Sequence, residues 1–147
     1  MRKRLYILSF SSLILGNLYG QNSEKAMLDQ FFLIYQEDPV AALDYIYDFN
    51  PWIASQGEAV QSLKDKLNPF IPLAGDYQEA EFIPTGRLRE RFSMFIYLAK
   101  YDLQPLRFTF EFYKPKDRWM LYAFSFDNNF NEDMKDLLKR DLLKGKP

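Results

Sequence analysis

The 147-residue chain predicts an α+β fold: N-terminal helices packed on an antiparallel sheet of about four strands, then a short C-terminal helix. Three observations predict it. In the first half, apolar residues recur at helical spacing between Asp-Pro and Asn-Pro pairs. In the second half they alternate with polar residues, the period of a half-buried strand. Near the end, Met134, Leu137, Leu138 and Leu142 return to helical spacing.

The chain opens MRKRLYILSFSSLILGNLYGQ. Arg2, Lys3 and Arg4 precede an apolar run from Leu5 to Leu15, and Gly20 precedes a polar segment. This order predicts a secretory signal peptide over residues 1–20, cut near Gly20–Gln21. The apolar run is shorter than the roughly 20 residues that span a bilayer. With no cysteine at the cut, a lipoprotein anchor is not expected, and the mature chain is expected to be periplasmic or extracellular with no membrane anchor. Removing the leader takes three of the 19 Lys/Arg and none of the 20 Asp/Glu, leaving residues 21–147 at a net charge of about −4. That remainder suits a single domain. Without cysteine, burial alone must hold it, and an aromatic content of 18% makes this practicable; each ring removes roughly 150–250 Å² from water.

Ser23 is placed to cap a first helix carrying Met27, Leu28, Phe31, Ile34 and Tyr35 on adjoining faces. Asp38-Pro39 supplies a cap and a first-turn proline for a second, with Val40, Leu43, Ile46 and Tyr47 inward. Asn50-Pro51 is expected to end it. A third helix is expected from about Gly57 to Leu67, stopped by Asn68-Pro69, and Asn68 to Asp76 is expected to form a loop.

Tyr77 to Ile83, Arg91 to Tyr101, Leu106 to Tyr113 and Trp119 to Phe126 read as strands. If Tyr113 faces Trp119, the even residues Leu106, Phe108, Phe110 and Phe112 share a face with Met120, Tyr122, Phe124 and Phe126. That face is wholly apolar or aromatic and is the predicted core, since a one-residue slip would mix it with charge. The other face then holds Arg107, Thr109, Glu111 and Tyr113 beside Trp119, Leu121, Ala123 and Ser125. For the preceding strand, either Phe95, Tyr97 and Ala99 or Met94, Ile96 and Leu98 join the core. Asn129 or Asn131 would cap the final helix.

The runs LKDKLNPFIPLAGDYQEAEFI (Leu63 to Ile83) and QPLRFTFEFYKPKDRWMLYAFSFD (Gln104 to Asp127) resemble secreted members of the nuclear transport factor 2-like (cystatin-like) superfamily. The resemblance covers roughly residues 25–130 and carries no catalytic motif. It implies a sheet curved around a helix with a cone-shaped pocket, and sheet-to-sheet dimers are common among such folds. Isomerases, dehydratases, polyketide cyclases and many non-enzymatic binding domains share them, so the fold fixes no activity.

Residues that are missing limit the chemistry most firmly. The chain has no histidine and no cysteine, which excludes a Ser-His-Asp triad, a histidine base, thiol chemistry and the usual zinc and copper sites. No cofactor or metal is expected, and the acidic balance argues against nucleic acid. An isomerase-like site would need a carboxylate base and an oxyanion-holding tyrosine, for which Tyr97, Tyr101, Tyr122, Glu111 and Asp127 are candidates. Their spacing matches no motif, and Tyr122 reads as core. Asp127, Asn129 and Asn131 alternate like calcium ligands, but Glu132 stands where the loop needs glycine, so a helix cap is the better reading. Lys114, Lys116 and Arg118 read as a charged turn, Glu79 and Glu81 as one face of a strand, and Lys135, Lys139 and Arg140 as the solvated side of the last helix. The candidate binding residues are Tyr97, Arg107, Thr109, Glu111, Tyr113 and Trp119. The function expected is an exported binding or assembly domain, using an apolar pocket for a small ligand or the outer sheet face for a protein partner or second copy. The alternative is a small pocket enzyme performing acid–base isomerisation or cyclisation.

Overall fold

The computed structural model describes residues 23–84, the backbone of 87–88, residues 90–130, and residues 132, 135, 136 and 139. The predicted leader lies outside these, as do Asn131, Met134, Leu137, Leu138 and Leu142 of the predicted final helix. Among the described residues four helices come first, α1 (Glu24–Tyr35), α2 (Pro39–Tyr47), α3 (Pro51–Ala54) and α4 (Gly57–Ala74), and Phe130, Glu132, Lys135, Asp136 and Lys139 are helical again after the strands. The strands follow as β1 (Tyr77–Ile83), β2 (Arg87–Leu88), β3 (Phe92–Tyr101), β4 (Leu106–Tyr113) and β5 (Met120–Asp127). The sheet is antiparallel throughout, in the order β1-β3-β4-β5, with β2 also paired to β3. No helix among these residues is long and apolar enough to cross a membrane.

The helix starts follow their predicted caps. Ser23 accepts from the Ala26 N–H, and Asp38 accepts from those of Val40 and Ala41 ahead of Pro39. Asn50 behaves differently from expectation. α2 already ends at Tyr47, and Asn50 caps a new short helix by accepting from the Trp52 and Ile53 N–H groups. Its Nδ2 donates to the Leu121 carbonyl 2.8 Å away, so one buried amide joins the helical layer to β5.

The predicted loop over Asn68 to Asp76 is a correction, because α4 continues through Pro69 and Pro72 to Ala74. Each proline removes a donor, leaving the carbonyls of Asp65 and Asn68, four residues back, without their helical partners. Both residues are exposed, where water can serve those carbonyls. Meanwhile Leu63, Leu67, Phe70, Ile71 and Ala74 keep helical spacing, with Leu67 and Ala74 fully buried and the others packed on the core. Burial of that stripe outweighs the local preference. The helix then ends at Gly75, whose φ of +88° suits glycine. A Cβ there would meet Asp102 Cβ at 3.1 Å and Leu103 Cγ at 3.2 Å. The close approach is fixed by backbone bonds from Leu103 to Ala74 and from Asp102 to Asp76.

In the sheet, Phe95, Tyr97 and Ala99 are the β3 residues that turn inward, opposite Phe110, Phe108 and Leu106. Leu106, Phe108, Phe110, Phe112 and Phe124 are buried as the parity predicts. The register between β4 and β5 is a further correction. Tyr113 pairs with Met120 instead of Trp119, and a bulge falls where Glu111 faces Ala123 while Phe112 faces Leu121. Tyr122 is the extra residue. A bulge inverts the inward–outward alternation beyond it. Leu121, expected outside, is therefore fully buried, and Trp119 packs against the core. Tyr122, expected inside, is 57% exposed.

The core is an aromatic slab between α1 and the sheet. The Phe31 ring lies 5.0 Å from Phe110, 6.1 Å from Phe124 and 6.4 Å from Phe108. Phe32 covers Tyr97 at 4.7 Å. Truncating Phe31 to alanine removes the ring where these strands meet, so urea denaturation should show a loss of about 3–5 kcal/mol. Gly75→Ala should cost about 1–3 kcal/mol by the same measurement, because a side chain at positive φ is strained and its Cβ would press on the neighbouring turn.

Candidate functional site

The candidate binding residues divide between the two faces of the sheet. Arg107, Thr109, Glu111 and Tyr113 lie outward on β4, away from the helices. Tyr97 and Trp119 belong to the inner side, Tyr97 buried and Trp119 against the core. The ammonium of Lys114 stands 5.7 Å from the centre of the Trp119 ring. The six residues therefore do not form one site.

On the outer face, Arg107 is clamped by Asp127, directly opposite in the ladder. Nη2 lies 2.9 Å from each carboxylate oxygen and Nε 3.1 Å from one of them. Asp127 also accepts from the backbone N–H of Asn129, so its carboxylate is occupied as a turn and ion-pair group. The neighbouring row on β3 is apolar: Met94, Ile96 and Leu98 sit opposite Glu111, Thr109 and Arg107. Phe92 extends the row and meets the Tyr122 ring at 5.8 Å, with Tyr113 alongside. Thus the bulge that carries Tyr122 out of the core places it on an apolar band of the outer surface.

A charged cluster closes the other end of this face. Lys100 reaches Glu79 at 2.9 Å and Glu81 at 2.8 Å. The Glu81 bond, then the Glu79 bond, holds the ammonium above its ordinary range, and Lys100 holds the Glu81 carboxyl low. This triad was legible only in part. The alternating glutamates of β1 were visible, but Lys100 becomes their partner only through a register shift at Gln78.

The inner face, which the family resemblance would hollow into a cone, is packed with Phe31, Phe32, Tyr35, Phe108, Phe110 and Phe124. Two open grooves lie among the described residues. One, of about 270 Å³, separates α2 from α4 and is bridged by the Lys64–Asp44 ion pair. The other, of about 410 Å³, runs between α1 and β1 with Phe32, Ala80 and Tyr97 among its lining residues.

Polar groups buried in this layer have partners. Glu24 in the first turn of α1 is 4% exposed and accepts from Ser93 Oγ at 3.0 Å. Neither residue stood out in the sequence, where a glutamate at a helix start reads as solvated. The Tyr35 and Tyr101 hydroxyls bond to each other in the interior, with the Tyr77 ring against both. An acid–base reading needs a carboxylate beside a tyrosine. Among the described residues the buried Glu24 carboxylate is bonded to a serine and the buried hydroxyl pair to itself, while the exposed Asp29 lines the same groove as Tyr97. The charged turn between β4 and β5 has a structural tie as well, since Arg91 Nη1 donates to the Pro115 carbonyl at 3.1 Å. Lys135 and Lys139 pair with Glu132 and Asp136 on exposed surface.

Burial raises the ionisation of several tyrosines above the ordinary 10.0: Tyr47 and Tyr77 to about 12, with Tyr35 and Tyr101 also raised. The unfolded chain keeps its phenols neutral below pH 10, so the stability linked to these shifts is fully present there. Above that pH the unfolded state loses protons first, and stability declines as pH rises from about 10 toward about 12. Denaturation midpoints measured along an alkaline series should fall across that window. Tyr35→Phe, which removes the most strongly raised phenol, should flatten the decline.

The chain matches no family model, no curated protein and no solved structure.

Proposed function

We propose that this chain is an exported, non-catalytic binding or assembly domain of the nuclear transport factor 2-like kind, working through the outer face of its sheet. Export rests on the basic-then-apolar order of residues 1–20. The fold kinship rests on helices preceding a long antiparallel sheet. The observation that carries the functional reading is the contrast between the two faces of that sheet. Aromatic rings fill the inner face, whereas Met94, Ile96, Leu98, Tyr113 and Tyr122 form a half-exposed apolar band on the outer one.

The band has ion pairs beyond it, Arg107–Asp127 and Lys100 with its two glutamates, as an interface core has a polar rim. Four strands of about eight residues present a footprint of roughly 500 Å². Two copies face to face would cover roughly 1,000 Å², the lower bound of a specific interface. The same face would equally accept a different protein of matching shape.

Native mass spectrometry of the mature chain over a range of concentrations tests this directly. A dimer, or a co-purifying protein, is the expected result, and Ile96→Glu at the centre of the band should weaken the association about a hundredfold or more by burying unpaired charge. A strict monomer at every concentration, carrying no partner, would overturn the assembly reading. A retained small molecule would move the binding site to an interior pocket.

A further inference from the structure

We infer that the free edge of β1 receives an extended polypeptide segment in which apolar and basic side chains alternate. β1 has β3 on one side and, among the described residues, no strand on the other. Its outer edge therefore presents backbone donors and acceptors in strand geometry, the template used when a peptide adds to a sheet. This site shares Glu79, Glu81 and Lys100 with the rim of the outer face but does not depend on the apolar band.

Two features beside that edge define the chemistry of the occupant. Beneath it lies the groove of about 410 Å³ between α1 and β1, lined by Phe32, Leu33, Ala80 and Tyr97 together with the polar Asp29 and Gln36. Leu33 is 58% exposed, and Phe82, at 44%, extends the apolar surface beyond the groove through ring contacts with Tyr97 and Phe95. The helices leave this part of the inner face uncovered. Turned to the outer face from the same strand, Glu79 and Glu81 share Lys100, which among the described residues leaves an excess of one negative charge. Alternate side chains of an added strand point to opposite faces. One set would enter the groove, and the other would stand beside Glu79 and Glu81, where a lysine or arginine supplies the missing positive charge.

The same glutamates argue against a second copy as the occupant. Antiparallel pairing of β1 with itself about Ala80 sets Glu79 opposite Glu81 twice, and like charges directly opposed are destabilising. Charged residues on an edge strand are a common guard against self-pairing. They guard against the wrong strand while leaving a basic one favoured.

Labelled peptides as long as β1 provide the test, titrated into the mature chain and followed by fluorescence anisotropy. A peptide alternating lysine and valine should bind. One alternating glutamate and valine should bind about tenfold more weakly or worse, since two cross-strand pairs change from attractive to repulsive. A lysine–serine peptide of equal charge should lose the groove contribution, and a proline at the centre of the lysine–valine peptide should abolish binding. Glu79→Lys combined with Glu81→Lys, both on exposed side chains, should reverse the charge preference while circular dichroism shows the fold unchanged. Amide exchange should slow in β1 when the lysine–valine peptide is present. No binding, equal binding of both charge types, an unchanged preference in the doubly substituted chain, or protection confined to other strands would each overturn the inference.

Discussion

The structure depends on the packing of one helix face against one sheet face, with Phe31 at its centre. The ring lies within 6.4 Å of three sheet phenylalanines drawn from β4 and β5, and stacks on Tyr35 of its own helix at 5.6 Å. Each such ring contributes through area removed from water and through edge-to-face geometry. A chain with no cysteine has no covalent alternative. This slab therefore fixes which side chains of the sheet are inside and, by exclusion, which remain for function.

The other constraints serve that slab. Asn50 caps α3 and binds the Leu121 carbonyl, holding the helical layer to β5 beside its bulge. The Gly75 corner, docked on the turn after β3, sets the height at which β1 begins. Glu24 and Ser93 tie the start of α1 to β3. Each is a polar contact inside or bordering an apolar layer, where a satisfied hydrogen bond fixes geometry because an unsatisfied one is costly. With the interior occupied in this way, the surfaces we propose for recognition are the outer face and the β1 edge. They differ in chemistry, the first being an apolar band and the second a strand template with an acidic side.

Much of the fold was legible locally. The caps at Ser23 and Asp38 act through bonds a few residues long, so sequence spacing suffices to read them. The inward parity of Phe108, Phe110 and Phe124 was likewise readable, because a mis-registered strand would bury Arg107. The remainder depends on contacts distant in the chain. Pro69 and Pro72 signal a helix end by every local rule, yet α4 passes through them because Leu67, Phe70, Ile71 and Ala74 find the core. The candidate binding residues are split for a similar reason: the β3 register turns Tyr97 inward, and the bulge in β5 turns Trp119 against the core.

By itself, then, the sequence determined the order of helices before strands, the chemistries closed to a chain without histidine or cysteine, and the inward parity of β4 and of Phe124 opposite it. Those properties follow from composition and from periods of two and 3.6 residues, which no distant contact can alter. Tertiary structure decided where the alternation reverses, which β3 residues turn inward, and that Lys100 stands between two glutamates while Arg107 meets Asp127. A bulge or a register is chosen by the free energy of a whole packed layer, and that sum exists only once the layers have met.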